Sequence, residues 1–251
     1  MEADAAEAVA GQQAREAPVT LPAMPQTVTV VVPTKNEAPS LGGILEQVAP
    51  YADELMVVDG HSTDDTRQIA EAAGARFLLD RGRGKGDGLR LAIDEARSDI
   101  IVFIDADGSH DPADIPKLLA PIQAGEADMV VGSRPKGGSD ELHGDLEKFA
   151  RMIGSDIITL AINYRFDVRL SDSQNGFRAL RTDMARDLRL REDSTTIEQE
   201  MLMQALHRGY RCREVPAHEY ARTHGRSTIV LRRVAARYVW CLLRGLVVKN
   251  R

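Results

Sequence analysis

The stretch from Ile100 to Pro112, Ile-Ile-Val-Phe-Ile-Asp-Ala-Asp-Gly-Ser-His-Asp-Pro, constrains this chain more than any other. Its apolar run is too short for a helix and reads as a strand buried on both faces, which calls for a parallel sheet covered by helices. Asp105 and Asp107 follow at the carboxyl end, where extended backbone turns alternate side chains the same way. Ala106, between them, is small enough for a ligand to come close. Two hard anionic groups suit Mg²⁺ or Mn²⁺, which keep phosphate oxygens among their ligands. The crevice beyond the carboxyl ends of such a sheet is also where ligands bind. The pattern points to a nucleoside diphosphate site. Asp111, just before Pro112, is assigned to helix capping instead.

The rest of the sequence supplies strands and helices in regular alternation, the mark of an α/β fold with a mostly parallel sheet. Strands are expected from Thr27 to Pro33, Glu54 to Val58, Ala75 to Leu79, Asp128 to Val131 and Tyr210 to Pro216. Helices are expected from Pro39 to Val48, Thr66 to Ala73 (capped by Ser62 or Thr63), Asp87 to Ala96, Pro112 to Ala124, Asp145 to Tyr164 and Thr195 to His207. The polar cluster Thr34-Lys35-Asn36-Glu37 and Asp59 both stand at strand ends on the crevice side. Arg81 to Gly86 reads as a flexible basic loop whose Lys85 could reach a phosphate, although its spacing is not that of a P-loop. Pro135 to Gly144 reads as a flap, and Ser171 to Leu180 as a polar segment leading into a strand-like one. His218 to Ser227 is dense in donors that suit phosphate. From Ile229 to Val248 a basic amphipathic helix sets Arg233, Arg237 and Arg244 on one side and Val234, Tyr238, Cys241 and Leu242 on another. Contact with an anionic membrane surface and packing on the protein's own core both explain it.

Length and charge bound the reading. A chain of 251 residues holds one substantial core. Residues 1–26 read as a disordered leader, 27–228 as the folded domain and 229–251 as the tail helix. A formal charge of −6 argues against general nucleic-acid binding. Cys212 and Cys241 lack metal-site spacing and are expected as buried free thiols. No segment reads as membrane-spanning or as a secretory signal, so the expected location is cytoplasmic, with peripheral membrane contact left open.

Val-Val-Pro-Thr-Lys-Asn-Glu, Val-Val-Asp-Gly-His-Ser-Thr-Asp-Asp-Thr, Asp-Ala-Asp-Gly-Ser-His-Asp-Pro and Gly-Ser-Arg occur in the order seen in family 2 glycosyltransferases. The chain resembles that family, with its GT-A (Rossmann-like) fold, over about Thr27 to Ser227. Within it the closest likeness is to the dolichyl-phosphate mannose synthase group, through Gly132 to Arg134, the Arg151/Ser155 pair and the Gly-Phe segment after Asp172. The resemblance implies that Pro33, Lys35, Glu37, Val58, Asp59 and Gly60 line the nucleotide pocket; Lys85 and Ala106 are set beside the donor by the residue reading above. Asp105 and Asp107 would hold the metal, Ser109 standing where a Gln can complete the shell. Arg134, Arg151 and Ser155 would meet the phosphate of a polyprenyl phosphate acceptor; from spacing alone, Arg151 reads as a solvent-facing residue. His224 stands where an Arg contacts the diphosphate, and Glu200 where a Lys is usual. Asp107, Arg134 and Glu200 are thus the catalytic candidates.

The activity implied is metal-dependent, inverting transfer of a mannose- or glucose-type sugar from a nucleoside-diphosphate donor. A phosphate acceptor is already ionised and needs no general base, whereas a soluble hydroxyl acceptor, the alternative, would need Glu200 or Asp172 as one. A sugar-nucleotide-binding protein without turnover is the reading from a different class.

Overall fold

The computed structural model describes residues 26–140, 146–221 and 231–247. The first half of the described chain runs β1 (Val28–Thr34), α1 (Ala38–Val48), β2 (Glu54–Asp59), α2 (Thr66–Ala72), β3 (Arg76–Leu79), α3 (Lys85–Glu95), β4 (Ile100–Phe103) and α4 (Ile115–Gln123). The second half runs β5 (Met129–Ser133), a short α5 (Arg134–Gly137), α6 (Leu146–Phe166), β6 (Arg178–Arg181), α7 (Thr182–Asp187), α8 (Ile197–His207), β7 (Cys212–Pro216) and α9 (Leu231–Val247). The leader expected over 1–26 lies almost wholly outside the described residues, as do 222–230.

The strands form one seven-stranded sheet in the order β3-β2-β1-β4-β6-β5-β7. Only β6 is antiparallel to its neighbours, β4 and β5. Strand alternation becomes two buried faces. Val28, Val30, Val32, Ile100 and Val102 meet α1, α2 and α4, whereas Val31, Ile101 and Phe103 meet α3, α7 and α8. Burying one such aliphatic side chain is worth about 1.5–3 kcal/mol, so these two interfaces fix the strand ends on which the site is built. A third, smaller cluster joins Ile158 and Ile162 of α6 to Met203 of α8 and Leu242 of α9. The tail helix thus packs on the protein's own core through Tyr238, Cys241 and Leu242, one of its two expected roles.

Several local expectations change. Ser62 and Thr63 do not cap α2; Asp64 does that work by accepting the Thr66 N–H at 3.2 Å. Ser62 instead donates its N–H to Asp59 at 2.9 Å. The helix expected from Pro112 opens as a 3₁₀ turn over Pro112–Asp114, and Asp111 caps it by accepting the Ala113 N–H at 2.8 Å. The start of the expected flap is helical, with Ser133 Oγ accepting the Lys136 N–H at 3.2 Å.

The glycines at the start of α3, Gly84 and Gly86, allow a close backbone contact. Gly84 has φ +126°, and a Cβ on Gly86 would lie 2.2 Å from the Glu192 carbonyl oxygen. They let the 192–193 backbone press against the start of α3. That contact places Lys85 at the first helical position.

Candidate active site

The candidate site lies beyond the carboxyl ends of β1, β2 and β4. Strand β4 stops at Phe103, so the Asp pair is carried by a turn through Gly108 (φ +74°) and not by extended backbone. The two carboxylates therefore have different surroundings. Asp105 is 29% exposed and holds the Lys85 ammonium at 2.8 Å. Asp107 is buried and accepts the Ser109 N–H at 3.0 Å. The Ser109 carbonyl in turn accepts the Tyr220 N–H at 2.8 Å.

Lys85 also lies 2.9 Å from Glu198, whose side chain is almost completely buried. Burial disfavours the ammonium, but Asp105 and Glu198 outweigh it and hold the Lys85 pKa above the ordinary lysine value. The other oxygen of Glu198, Oε2, is buried with no protein partner. Gly176 closes the cluster, since a Cβ there would sit 3.1 Å from both Asp105 Oδ2 and Lys85 Nζ. Beneath it Arg178, fully buried, donates to the carbonyls of Asn175 at 3.1 Å and Glu198 at 2.9 Å. His110, another buried neighbour, stacks on Phe177 at 5.1 Å, and its Nδ1 lacks a protein partner. Burial lowers its pKa below the usual histidine value.

The nucleotide side is formed by two clamped loops. Register sets Pro33 opposite Val58 and Thr34 opposite Asp59. Asn36, at φ +55°, accepts the Thr63 N–H at 2.7 Å, and the Gly60 N–H donates to the Thr34 carbonyl at 2.9 Å. A Cβ on Gly60 would meet Lys35 at 3.5 Å, so Lys35 lies across this turn. Glu37 opens α1 at its N-cap position. The Val58 and Ala106 side chains belong to the apolar clusters, so it is their backbone that borders the crevice.

On the other side, Arg134 donates to Asp172 through Nε (2.7 Å) and Nη2 (3.0 Å) and reaches Glu219 at 3.3 Å. Burial opposes ionisation at both ends, but the pairing keeps the Arg134 pKa above its ordinary value and that of Asp172 below. Arg151 and Ser155 lie one turn apart on α6, and Thr159, one turn further, bonds Ser173 Oγ at 2.8 Å. The helix face bearing the pair therefore docks beside the loop that holds Asp172. Arg151 is half-buried, unlike the solvent-facing arginine that spacing alone suggests.

Glu200 has a different task from the one expected. Its carboxylate accepts the backbone N–H groups of Arg191 and Glu192, both at 2.8 Å, and pairs with Arg244 at 2.7 Å. It anchors a loop and α9. Glu198, two residues earlier, is the carboxylate that meets Lys85. The polar run Glu198-Gln199-Glu200 between Ile197 and Met201, in a helix that packs on the sheet, was the available signal. His224 lies outside the described residues.

Among the described residues no group of three His, Cys, Asp or Glu side chains converges to hold a metal. The donor set still fits Mg²⁺ or Mn²⁺. Asp105 and Asp107 are hard oxygen donors, Asp105 already holds a cationic group, and such ions take the remaining ligands from water and phosphate.

This fold, with this carboxylate-bearing edge, is that of a GT-A glycosyltransferase. Residues 29–189 match the sequence model of Glycosyl transferase family 2, and the chain belongs to that family. Glycosyltransferase AglJ of Haloferax volcanii is 32% identical over 209 residues, covering 81% of this chain and 66% of that protein. The chain thus spans slightly less than two thirds of that relative. An uncharacterised glycosyltransferase of Mycobacterium tuberculosis is 32% identical over 203 residues, covering 80% of this chain and 89% of its own. Among solved structures, glucosyl-3-phosphoglycerate synthase from Mycobacterium tuberculosis, in complex with Mn²⁺, UDP and phosphoglyceric acid, aligns with a TM-score of 0.70. It is 23% identical, covers 89% of this chain and 80% of its own, and at that identity shows the fold alone.

Proposed function

We propose that this glycosyltransferase moves a mannose- or glucose-type sugar from a nucleoside-diphosphate donor to a polyprenyl phosphate, with inversion at the anomeric carbon. The observation that carries this reading is the docking of α6 through Thr159 and Ser173, which sets Arg151 and Ser155 beside the loop pairing Asp172 with Arg134. These are the groups suited to a phosphate acceptor, as in the dolichyl-phosphate mannose synthase group the sequence resembles.

In this reading Lys35, Glu37, Asp59 and Gly60 hold the nucleoside, and Lys85 meets the diphosphate. Asp105 and Asp107 hold Mg²⁺ or Mn²⁺, which when bound offsets the charge of the leaving diphosphate. Arg134, with guanidinium N–H groups beyond those bound to Asp172 and Glu219, orients the acceptor phosphate. An acceptor phosphate oxygen forms the new bond to the anomeric carbon as the donor's bond to the diphosphate breaks. No proton has to move, so positioning two mutually repelling anions is the main catalytic task.

Transfer of labelled sugar from a panel of UDP- and GDP-sugars into an organic-extractable product, with Mg²⁺ or Mn²⁺, tests this. UDP-glucose is the first donor to try, because the structural neighbour binds UDP. Metal-dependent label in the organic phase supports the reading, and its absence with every donor ends it.

One observation favours a second reading, a soluble hydroxyl acceptor. Such an acceptor needs a base, and Glu198 offers a buried oxygen without a protein partner. Phosphoglycerate, the acceptor-type ligand of the structural neighbour, is the soluble compound to run in the same assay.

A further inference from the structure

Glu214 is a carboxylate inside the protein that the reaction described so far leaves without a task. It stands on β7 opposite Val131 of β5, and its side chain is only 1% exposed. A charge so buried is costly unless partners replace its water. Glu214 has such partners at both oxygens. Oε1 accepts the N–H groups of Ser171 at 2.8 Å and Asp172 at 2.6 Å. Oε2 accepts the Ser171 hydroxyl at 2.9 Å and meets the Lys136 ammonium at 2.9 Å.

The loop held in this way is the one that presents Asp172, whose oxygens are engaged in turn. Oδ1 accepts Arg134 Nη2 at 3.0 Å and the N–H groups of Gln174 at 3.0 Å and Asn175 at 3.1 Å. Oδ2 accepts Arg134 Nε at 2.7 Å. Arg134 itself follows β5 directly, and β5 pairs with β7 as far as Ser133 and Pro216. The contacts therefore close a ring, from Glu214 through the 171–172 backbone to Asp172, on to the Arg134 guanidinium, and back through β5 to β7. A long arginine side chain carries much rotamer freedom. Inside this ring it cannot swing away without breaking a charge-assisted bond to a buried carboxylate.

We infer that Glu214 is a positioning residue for the transfer reaction: acting through Asp172, it fixes the Arg134 guanidinium and with it the place of an anionic acceptor. Asp172 alone would be a carboxylate on a loop, and Glu214 refers that loop to the sheet. Lys136 balances Glu214 as Arg134 balances Asp172, so the relay itself adds no net negative charge to repel a phosphate. The consequence for the acceptor rests on the proposal that Arg134 meets the acceptor phosphate. The hold on Arg134 does not.

The test is Glu214→Gln, which keeps the shape of the side chain but turns an amide NH₂ toward groups that are themselves donors. The first readout needs no acceptor. The Arg134 Nε–H resonance, assigned in isotope-labelled protein by its loss in Arg134→Lys, should shift or broaden in Glu214→Gln. The second is a double-mutant cycle on labelled-sugar transfer to a polyprenyl phosphate. Glu214→Gln should raise the acceptor KM about tenfold while the donor KM stays within about twofold, and in an Arg134→Ala background it should add less than about twofold. Should Glu214→Gln melt too early to assay, Ser171→Ala, which removes only the hydroxyl, is carried through both measurements with smaller shifts in the same direction expected. An Arg134 resonance unchanged in the folded variant overturns the inference whatever the acceptor is, and so does an acceptor KM effect of equal size in both backgrounds. A resonance that shifts as expected in an enzyme with no transfer to any polyprenyl phosphate ends the acceptor proposal alone, and the hold of Glu214 on Arg134 stands.

Discussion

Lys85 Nζ lies 2.8 Å from Asp105 Oδ1, so the first residue of α3 is tied to the turn beyond β4. With Glu198 on the same ammonium, the cluster is one cation between two carboxylates. Removing the cation leaves two buried or half-buried negative charges facing each other. Lys85→Met is expected to lower kcat/KM about 100-fold, the scale of losing one charge-stabilising group. Steady-state transfer assays check it, and a change below threefold would remove Lys85 from the reacting centre.

Gly176 and Gly86 separate catalytic crowding from folding. In Gly176→Ala the new Cβ meets the flexible ends of Asp105 and Lys85 at 3.1 Å, which can yield by a few tenths of an ångström. The expected result is a loss of about tenfold in kcat with little change in melting temperature. In Gly86→Ala the new Cβ meets the backbone of Glu192 at 2.2 Å, and the expected cost is about 1–3 kcal/mol or more. Thermal melts and transfer rates on both variants test the contrast.

Glu198 and Glu200 should behave oppositely when changed to Gln. Glu200→Gln weakens the link to Arg244 and the 191–192 backbone, so about 1–3 kcal/mol of stability should go while the folded enzyme keeps most of its rate. Glu198→Gln should slow transfer with a smaller effect on melting. An inactive Glu200→Gln of normal stability would return that residue to the chemistry.

Asp105→Asn and Asp107→Asn should each abolish metal-dependent nucleotide binding in calorimetry. Binding that survives in both would place the metal elsewhere, on residues outside this turn.

Asp128 supplies a pH-dependent clamp. It accepts from Arg211 at 2.9 Å through both the backbone N–H and Nη2, joining the starts of β5 and β7. The hydrogen bonds from the Arg211 side chain, helped by its charge, hold the Asp128 pKa below the usual carboxylate range. A lowered folded pKa means that the stabilisation is complete above the unfolded value, about 3.9, and is lost as pH falls through the folded one. The difference in melting temperature between wild type and Asp128→Asn should therefore be full at pH 7 and close progressively below about pH 4. A difference independent of pH would exclude the charge as its source.

The sequence by itself determined the layered α/β architecture, because the apolar runs around Val30, Val57 and Ile101 alternate with helix-period segments and can be buried only between helices. It also placed Asp59, Asp105 and Asp107 at strand ends, since a polar residue immediately after a buried strand has nowhere else to go. What required the tertiary structure was the pairing of residues far apart in the chain: Lys85 with Glu198, Arg134 with Asp172, and α6 with α9. No local period encodes which of Glu198 and Glu200 faces the crevice, because α8 is buried on both sides. That choice is made by the Gly84 and Gly86 contact, which brings the 192–193 backbone against α3 and leaves Glu200 to hold the adjoining loop while Glu198 meets Lys85.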